Sequence, residues 1–433
     1  MDSKKKGIIL GCVADDFTGA SDAASFLAGR GLKTVLCNGI PADTEKLGDC
    51  DAVVIALKTR SVSAAEAVQS TRGAFGKLKE LGAQQFYLKY CSTFDSTPRG
   101  NIGPTTDCAM EDFGVRYTLL CPSLPVNKRT VRDGCLYVDD LPLHQSHMKN
   151  HPLNPMWASD IGELMKPQGK YPCLVLDKEA MRGTSEEIHA LVEQFARGRE
   201  HFYVVPEYVT GGDGEKIARV FGDLPFLTGG SGLLEHLADR ILRQQTRGNG
   251  RQANSGTQGR GILLCGSCSK ATLEQIQAYK AGGGKYLAIE ASQLRSGAQT
   301  VEKLWNYIQQ NPDDAVLAYS TGAENASRIH DENPYREQEA ALLEKTMAAL
   351  GRMAYDAGFT RIIVAGGETS GAVTLALNLD AYYIGESVAP GVPVMTPVDR
   401  PNLRIVLKSG NFGQADFFRR ALDMTGSRYS QST

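Results

Sequence analysis

Gly7-Ile-Ile-Leu-Gly-Cys-Val-Ala-Asp-Asp-Phe-Thr-Gly-Ala-Ser-Asp22 is the stretch on which the fold turns. Its first eight residues form an apolar run of strand length, and two carboxylates, Asp15 and Asp16, stop it at once. The basic start, Met1 to Lys6, followed by apolar residues has the outline of a secretory leader. No small-residue cleavage pattern follows, however, and the paired Asp breaks the run. A first β-strand over 7–14 is the better reading. A helical pattern over 18–31 comes next and ends at a glycine.

Working outward, strands are expected at 33–37 and 51–57. A helix is expected over 63–81 with Ser63 as its N-cap, then a strand over 85–90. This βαβ rhythm predicts an α/β fold built on a mostly parallel, doubly wound sheet. Residues 141–165 are rich in Pro, His and Asn and read as a long excursion. Alternation resumes at 173–176 and 201–205, and a Thr-Gly-Gly-Ser-Gly-Leu-Leu segment then leads into a helix ending near Leu242. From Arg243 to Arg260 the chain reads RQQTRGNGRQANSGTQGR, with almost nothing apolar to bury. The expected division is a first α/β domain over 1–245, a linker over 246–260 and a second α/β domain over 261–433. Strands of the second are expected at 261–265, 286–289, 315–319 and 361–365, with a long helix over 337–357. A terminal helix over 414–424 is open to packing back on the first domain. No internal repeat of 20–50 residues is present.

Composition narrows the function. With a formal net charge of −2, no bulk field draws the chain to nucleic acid or a membrane, so an anionic substrate needs a local cationic site. No apolar run is long enough to span a bilayer, and the cytoplasm is the default compartment. Ten cysteines are scattered, several inside apolar runs where they serve as small hydrophobes. Cys265 and Cys268 make a single C-x-x-C without the second pair that a structural zinc site needs. His144, His147 and His151 have a spacing that invites a metal, but they lie in a Pro- and Asn-rich stretch with no nearby Cys.

Four clusters carry chemistry. Asp15 and Asp16 follow the first strand, where ligands of open α/β sheets bind. Helix capping accounts for one carboxylate but not two. Lys58-Thr-Arg-Ser61 ends another strand, and Arg60 suits a carboxylate, although a solvated surface arginine would look the same. Lys89-Tyr-Cys-Ser-Thr-Phe-Asp-Ser-Thr-Pro-Arg-Gly-Asn101 gathers Lys89, Ser92, Thr93, Asp95, Arg99 and Asn101. That mixture fits a small polyhydroxylated anion, with Asp95 able to take a proton from an attacking hydroxyl. Pro98 and Gly100 also permit a plain polar turn. The fourth is a glycine-rich set: Gly266-Ser-Cys-Ser269, Gly366-Gly-Glu-Thr-Ser-Gly371 and Ser409-Gly-Asn-Phe-Gly413. Two of these lie at strand-to-helix junctions, where backbone N–H groups bind phosphate. No Walker P-loop, dinucleotide fingerprint, nucleophile elbow or protein-kinase set is present.

Together the clusters resemble the four-carbon acid sugar kinase family over essentially the whole chain. The matching motifs are Ala-Asp-Asp-Phe-Thr-Gly-Ala at 14–20, Thr-Arg-Ser at 59–61 and Asp-Ser-Thr-x-Arg-Gly-Asn at 95–101. In the second half they are Gly-Ser-Cys-Ser, Gly-Gly-Glu-Thr-Ser-Gly and Lys-Ser-Gly-Asn-Phe-Gly, the last at 408–413. The resemblance implies a sugar-acid domain followed by an ATP domain. It places substrate contacts at Asp15, Asp16, Arg60, Lys89, Ser92, Thr93, Asp95, Arg99 and Asn101, with Asp16, Lys89 and Asp95 as the catalytic candidates. It places the nucleotide at Ser267, Ser269, Gly366, Gly367, Glu368, Thr369, Ser370 and Gly410. ATP and Mg²⁺ are the implied cofactors, the metal held mostly by phosphates and water. A small four-carbon sugar acid is the implied partner, and a homodimer stays open.

Within the family, the 89–101 loop, Gly-Asn-Ile-Gly-Pro and the His-Pro-Leu-Asn-Pro-Met segment at 151–156 look like the 3-oxo-tetronate 4-kinase branch. Threonate and erythronate kinases, with a shorter loop, are the alternative, and a non-catalytic sugar-acid sensor is a more distant one. One departure stands out: Pro206-Glu207 occupies the place where the family pattern leads one to expect Asp-Ala.

Overall fold

A computed structural model of the protein describes residues 7–150, 154–244, 256–320 and 335–427. The chain divides into two compact units, Met1–Arg251 and Gln252–Thr433. Most of the expected linker, 246–255, lies outside the described residues. Its last part is fastened into the second unit. Thr257 N–H donates to Thr425 O at 3.0 Å, and Thr360 Oγ1 donates to Gln258 O at 2.8 Å. The Arg260 guanidinium donates to the carbonyls of Ile308 and Asn311 at 3.1 and 3.2 Å.

The first unit begins with β1 (Leu10–Ala14), α1 (Phe17–Gly29), β2 (Thr34–Asn38), β3 (Ala52–Ala56), α2 (Ala64–Glu80), β4 (Gln85–Lys89) and α3 (Ile102–Phe113). It continues through β5 (Tyr117–Leu119) into a small antiparallel sheet of β6 (Arg129–Arg132), β7 (Cys135–Val138) and β8 (Leu141–Pro142). There follow α4 (Ile161–Met165), β9 (Cys173–Leu176), α5 (Lys178–Arg182), α6 (Ser185–Ala196), β10 (Phe202–Pro206), α7 (Gly211–Phe221), β11 (Phe226–Gly229) and α8 (Gly232–Gln244).

Five strands run parallel in the order β11-β4-β1-β3-β2, and β5-β10-β9 form a second parallel sheet. Every residue of β1 is buried, as expected of a strand covered on both faces. A side chain at Gly11 would come within 3.0 Å of Leu78 Cδ1, so this glycine lets α2 lie close to the sheet. Helix α2 starts at Ser63, whose Oγ accepts from Glu66 N–H at 3.3 Å. Phe75, Phe86, Phe113 and Phe226 then lock α2 and α3 against β4 and β11. The Phe75–Phe113 and Phe113–Phe226 ring centroids are both 5.3 Å apart.

The 141–165 excursion is more structured than its composition suggests. Leu143, Met148 and Met156 are buried within it, and α4 is capped by Asp160. His144 Nδ1 lies 2.8 Å from Ser159 Oγ, and His151 falls outside the described residues. No group of three or more His, Cys, Asp or Glu among the described residues could hold a metal.

The second unit runs β12 (Gly261–Cys265), α9 (Lys270–Ala281), β13 (Tyr286–Ile289), α10 (Ala291–Ser296), α11 (Val301–Gln309), β14 (Val316–Ser320), α12 (Arg336–Asp356), β15 (Arg361–Ala365) and α13 (Gly367–Ala376). It ends with β16 (Ala381–Ala389), β17 (Val392–Pro397), β18 (Arg404–Lys408) and α14 (Phe417–Thr425). The strand order is β16-β17-β18-β15-β12-β14-β13. The pairs from β18 to β13 are parallel, and β17 is antiparallel to both of its neighbours. The terminal helix, whose packing partner the sequence left open, places Phe417, Phe418 and Ala421 in the core of its own unit. The two cysteines of the C-x-x-C are placed differently, Cys265 buried in β12 and Cys268 exposed.

Candidate functional site

Strands β1, β3 and β4 are adjacent, with Ala14 level with both Ala56 and Lys89, so their carboxyl ends open at one edge. Asp15 and Asp16 leave β1 there. Asp16 has extended backbone and caps α1, its Oδ1 accepting Gly19 N–H at 2.7 Å. Arg60, just past β3, donates from Nε and Nη2 to the two oxygens of Asp15, both at 2.8 Å. The same Nη2 stands 2.8 Å from Asp16 Oδ1. The Thr59 and Arg60 N–H groups also donate to Asp15 O, so backbone and side chain hold the arginine alike.

Lys89, at the end of β4, is only 3% exposed and donates to Tyr90 O at 2.9 Å. A side chain at Gly19 would come within 2.9 Å of its Nζ and 2.5 Å of Asp16 Oδ1. A side chain there would displace the carboxylate or the ammonium, so glycine lets the helix pass the charges undisturbed.

Two carboxylates and two cations are gathered, and they tune one another. Burial pushes the Asp16 carboxyl above the ordinary carboxylate range, with Arg60 and Lys89 pulling it down and Asp15 pushing it up. Burial disfavours the Arg60 cation, but Asp15 and Asp16 more than reverse this, so the guanidinium stays charged. Both contacts of Asp16 fall on Oδ1, which leaves Oδ2 to accept from an entering hydroxyl.

The loop after β4 carries the remaining expected contacts. Thr93 and Asp95 are buried and Ser92 is half-buried. Phe94 adopts a left-handed φ of 49°, which sends its ring into the core against Tyr90 at 5.4 Å. Arg99 is exposed at the following turn, its N–H donating to Thr97 Oγ1. Asn101 does something the sequence did not suggest. Its Nδ2 donates to Thr59 O at 2.7 Å and Val62 O at 3.2 Å, which fastens the Arg60 segment.

Asp22, inside the opening motif but given no role there, is 8% exposed and accepts from Ser231. Burial raises its carboxyl, and Lys89 opposes the rise. The signal was its three-residue spacing from Gly19 on a helix that starts after Asp16, which puts both on one face. The departure at 206–207 also has a structural account. Glu207 Oε2 accepts Asp133 N–H at 2.7 Å, and Asp133 has a φ of 48°, so Glu207 ties down the β6–β7 turn.

In the second unit, β12, β15 and β18 are adjacent, and the three glycine-rich loops leave their carboxyl ends. Gly366 N–H donates to Lys408 O at 2.9 Å, and Gly266 N–H donates to Ala365 O at 3.0 Å. Gly366 has a φ of 122°, and a side chain there would come within 3.1 Å of Ser267 N. A side chain at Gly410 would strike Ser267 Oγ at 2.6 Å. Gly366, the N-cap of α13, has no side chain to cap it, so the N–H groups of Gly367, Glu368 and Thr369 stand at a helix N-terminus of the kind that can bind anions. Thr369 and Ser370 are buried, while Gly367 and Glu368 are exposed. Ser269 caps α9, and its hydroxyl donates to Gly410 O at 2.5 Å. Gln275, also given no role by the motifs, holds the last loop through Phe412 O and Gly413 O at 2.9 and 3.0 Å.

Residues 10–237 match the model of a sugar-binding N-terminal domain, and 262–418 match that of a nucleotide-binding C-terminal domain. The chain belongs to the four-carbon acid sugar kinase family. A 3-oxo-tetronate kinase of Brucella melitensis is 40% identical over 95% of this chain and 94% of its own length. One of Haemophilus influenzae is 38% identical over 96% of this chain and 100% of its own. A solved Haemophilus influenzae protein superposes with a TM-score of 0.83 at 36% identity, covering 96% of this chain and 100% of that one. As a family member, the chain has an N-terminal sugar-binding domain that carries the Asp15–Asp16–Arg60–Lys89 cluster. Its nucleotide-binding domain carries the three glycine-rich loops.

Proposed function

We propose that this four-carbon acid sugar kinase transfers the γ-phosphoryl group of Mg·ATP to the terminal hydroxyl of 3-oxo-tetronate, giving 3-oxo-tetronate 4-phosphate. What carries the proposal is full-length likeness to kinases named for that substrate, spanning both units. The geometry supports it. Phosphoryl transfer asks little covalent work of the protein, so positioning and charge neutralisation dominate.

In this reading Lys89 and Arg60 offset the charge of the acid or of the transferring group, and Asp16 Oδ2 accepts from a substrate hydroxyl. Ser92, Thr93 and Asp95 line the same loop, with Asp95 as the candidate base for the attacking hydroxyl. Asn101 acts at one remove by fixing the Arg60 segment, and Arg99, exposed at the turn, is the most peripheral of the proposed contacts. The N–H groups of 367–369, with Ser267, Ser269, Ser370 and Gly410 around them, receive the phosphates. Mg²⁺ would enter on the nucleotide and be held chiefly by phosphate and water oxygens. In this reading the boundary between the domains lies within 246–260.

ADP release with Mg·ATP against 3-oxo-tetronates, threonates and erythronates tests the proposal. Turnover confined to the 3-oxo acids is expected. Turnover on threonate or erythronate alone would overturn the substrate. Silence across the panel from protein that still binds ATP would overturn the substrate class.

A further inference from the structure

Lys408 closes β18 and is 1% exposed. An ammonium has three protons, and three acceptors surround this one: Thr272 Oγ1 at 2.9 Å, Gly410 O at 3.0 Å and Ser409 O at 3.2 Å. With its donors spent inside the protein, Lys408 has none left for a phosphate. Its reach is wide nonetheless. Its own carbonyl accepts Gly366 N–H at 2.9 Å, and its Thr272 partner lies 3.2 Å from Ser267 Oγ and donates to Gly410 O at 2.8 Å. One residue thus bears on all three glycine-rich loops.

The groups facing it are nearly neutral. Among the described residues, Cys265 on β12 is the titratable group that acts on it, and burial pushes that thiol up to about 12. From α9 it meets the Thr272 hydroxyl, and from α14 the Phe417 ring at 5.6 Å. With no carboxylate beside it among the described residues, burial lowers the Lys408 ammonium to about 8.

We propose that Lys408 is a positioning residue for the nucleotide. Its ammonium clamps the 409–410 carbonyls to the first turn of α9, holding the glycine-rich loops in the shape that receives the phosphates. Loss of its proton releases the clamp. A neutral amine has two protons for three acceptors, so the hold is complete below the transition and weakens as pH rises through it. The inference rests on the nucleotide-binding assignment of the second unit and not on the identity of the sugar acid.

The test uses the full-length protein and its Lys408→Met and Lys408→Arg variants. Affinity for a non-hydrolysable ATP analogue is measured by calorimetry from pH 6.5 to 9.5, beside KM and kcat for ATP. Wild-type affinity is expected to fall as pH passes about 8. Lys408→Met should bind about ten-fold more weakly at pH 7, keep kcat within about three-fold and lose the alkaline transition. Lys408→Arg, whose planar fork cannot reproduce the tripod, should not restore affinity. Unchanged analogue affinity with collapsed kcat would overturn the proposal, because Lys408 would then act on the transferring group. A flat wild-type affinity profile would also overturn it, even if neither variant folds. An inactive protein that still binds the analogue with the expected profile would sink the substrate assignment and uphold this one.

Discussion

Asp16 divides its work between its two carboxylate oxygens. Oδ1 caps α1 and meets Arg60, which leaves Oδ2 as the oxygen proposed for the substrate hydroxyl. Asn can still cap through its oxygen but cannot carry the charge. Asp16→Asn is therefore expected to lower kcat/KM by about 10² to 10⁴-fold, with thermal stability held within about 1 kcal/mol. Calorimetric melts beside steady-state kinetics check both parts. Because burial raises the Asp16 carboxyl above its ordinary 3.8, the acidic limb of kcat/KM should lie above that value. Activity is present above the raised value and lost as pH falls through it. A limb at or below 3.8 would mean that another group controls it. Gly19→Ala makes a steric test of the same place. A methyl group 2.5 Å from Asp16 Oδ1 and 2.9 Å from Lys89 Nζ should raise KM for the acid at least about ten-fold. The nucleotide KM should not move.

Among the elements, most parallel strands were legible, though the short β5 and β11 and the late β18 were not singled out, and the antiparallel ones were missed, for a physical reason. β1, β3, β12 and β15 are buried on both faces and show as unbroken apolar runs. β16 and β17 are interrupted by Gly385, Pro393 and Pro397, residues that ordinarily argue against a strand. They pair around register shifts and a Pro390-Gly391 turn with φ 77° at Gly391. The site was legible in the same measure. Residues that meet solvent at strand ends, Asp15, Asp16, Arg60 and the glycines, announced themselves by type. Asn101 and Lys408 act through backbone carbonyls that one sequence does not bring together. Asn101→Ala should therefore raise KM for the acid several-fold by loosening 59–62. Its stability cost should be about 1–3 kcal/mol for the carbonyls left without donors, read from denaturant melts. An unchanged KM would leave Asn101 with a purely structural role. Gly366→Ala, at φ 122°, should cost at least about 1 kcal/mol and weaken ATP binding, which nucleotide titration beside melts would show.

At the scale of the molecule, the two units carry separate ligand chemistry, and hydrogen exchange can read them separately. A non-hydrolysable ATP analogue is expected to slow exchange at 266–269, 366–371 and 408–413. 3-Oxo-tetronate is expected to do so at 15–19, 59–62 and 89–101. Each ligand at a hundred times its Kd stabilises what it binds by about 2.7 kcal/mol. The reverse pattern of protection would exchange the roles of the units. No helix among the described residues is long and apolar enough to cross a membrane, and the net charge of −2 provides no general attraction for anions. Cationic groups are placed locally instead, as Arg60 and Lys89 are at the strand ends of the first unit.

The bidentate pairing of Arg60 with Asp15 also bears on how such a protein can change over generations. Replacing Arg60 alone leaves Asp15 and Asp16 side by side without their guanidinium, whereas replacing Asp15 alone still leaves Arg60 a carboxylate in Asp16. A single change at position 60 is therefore costlier than one at position 15. Descendants that alter their choice of acid are more readily reached through the 89–101 loop, where one substitution need not orphan a charge.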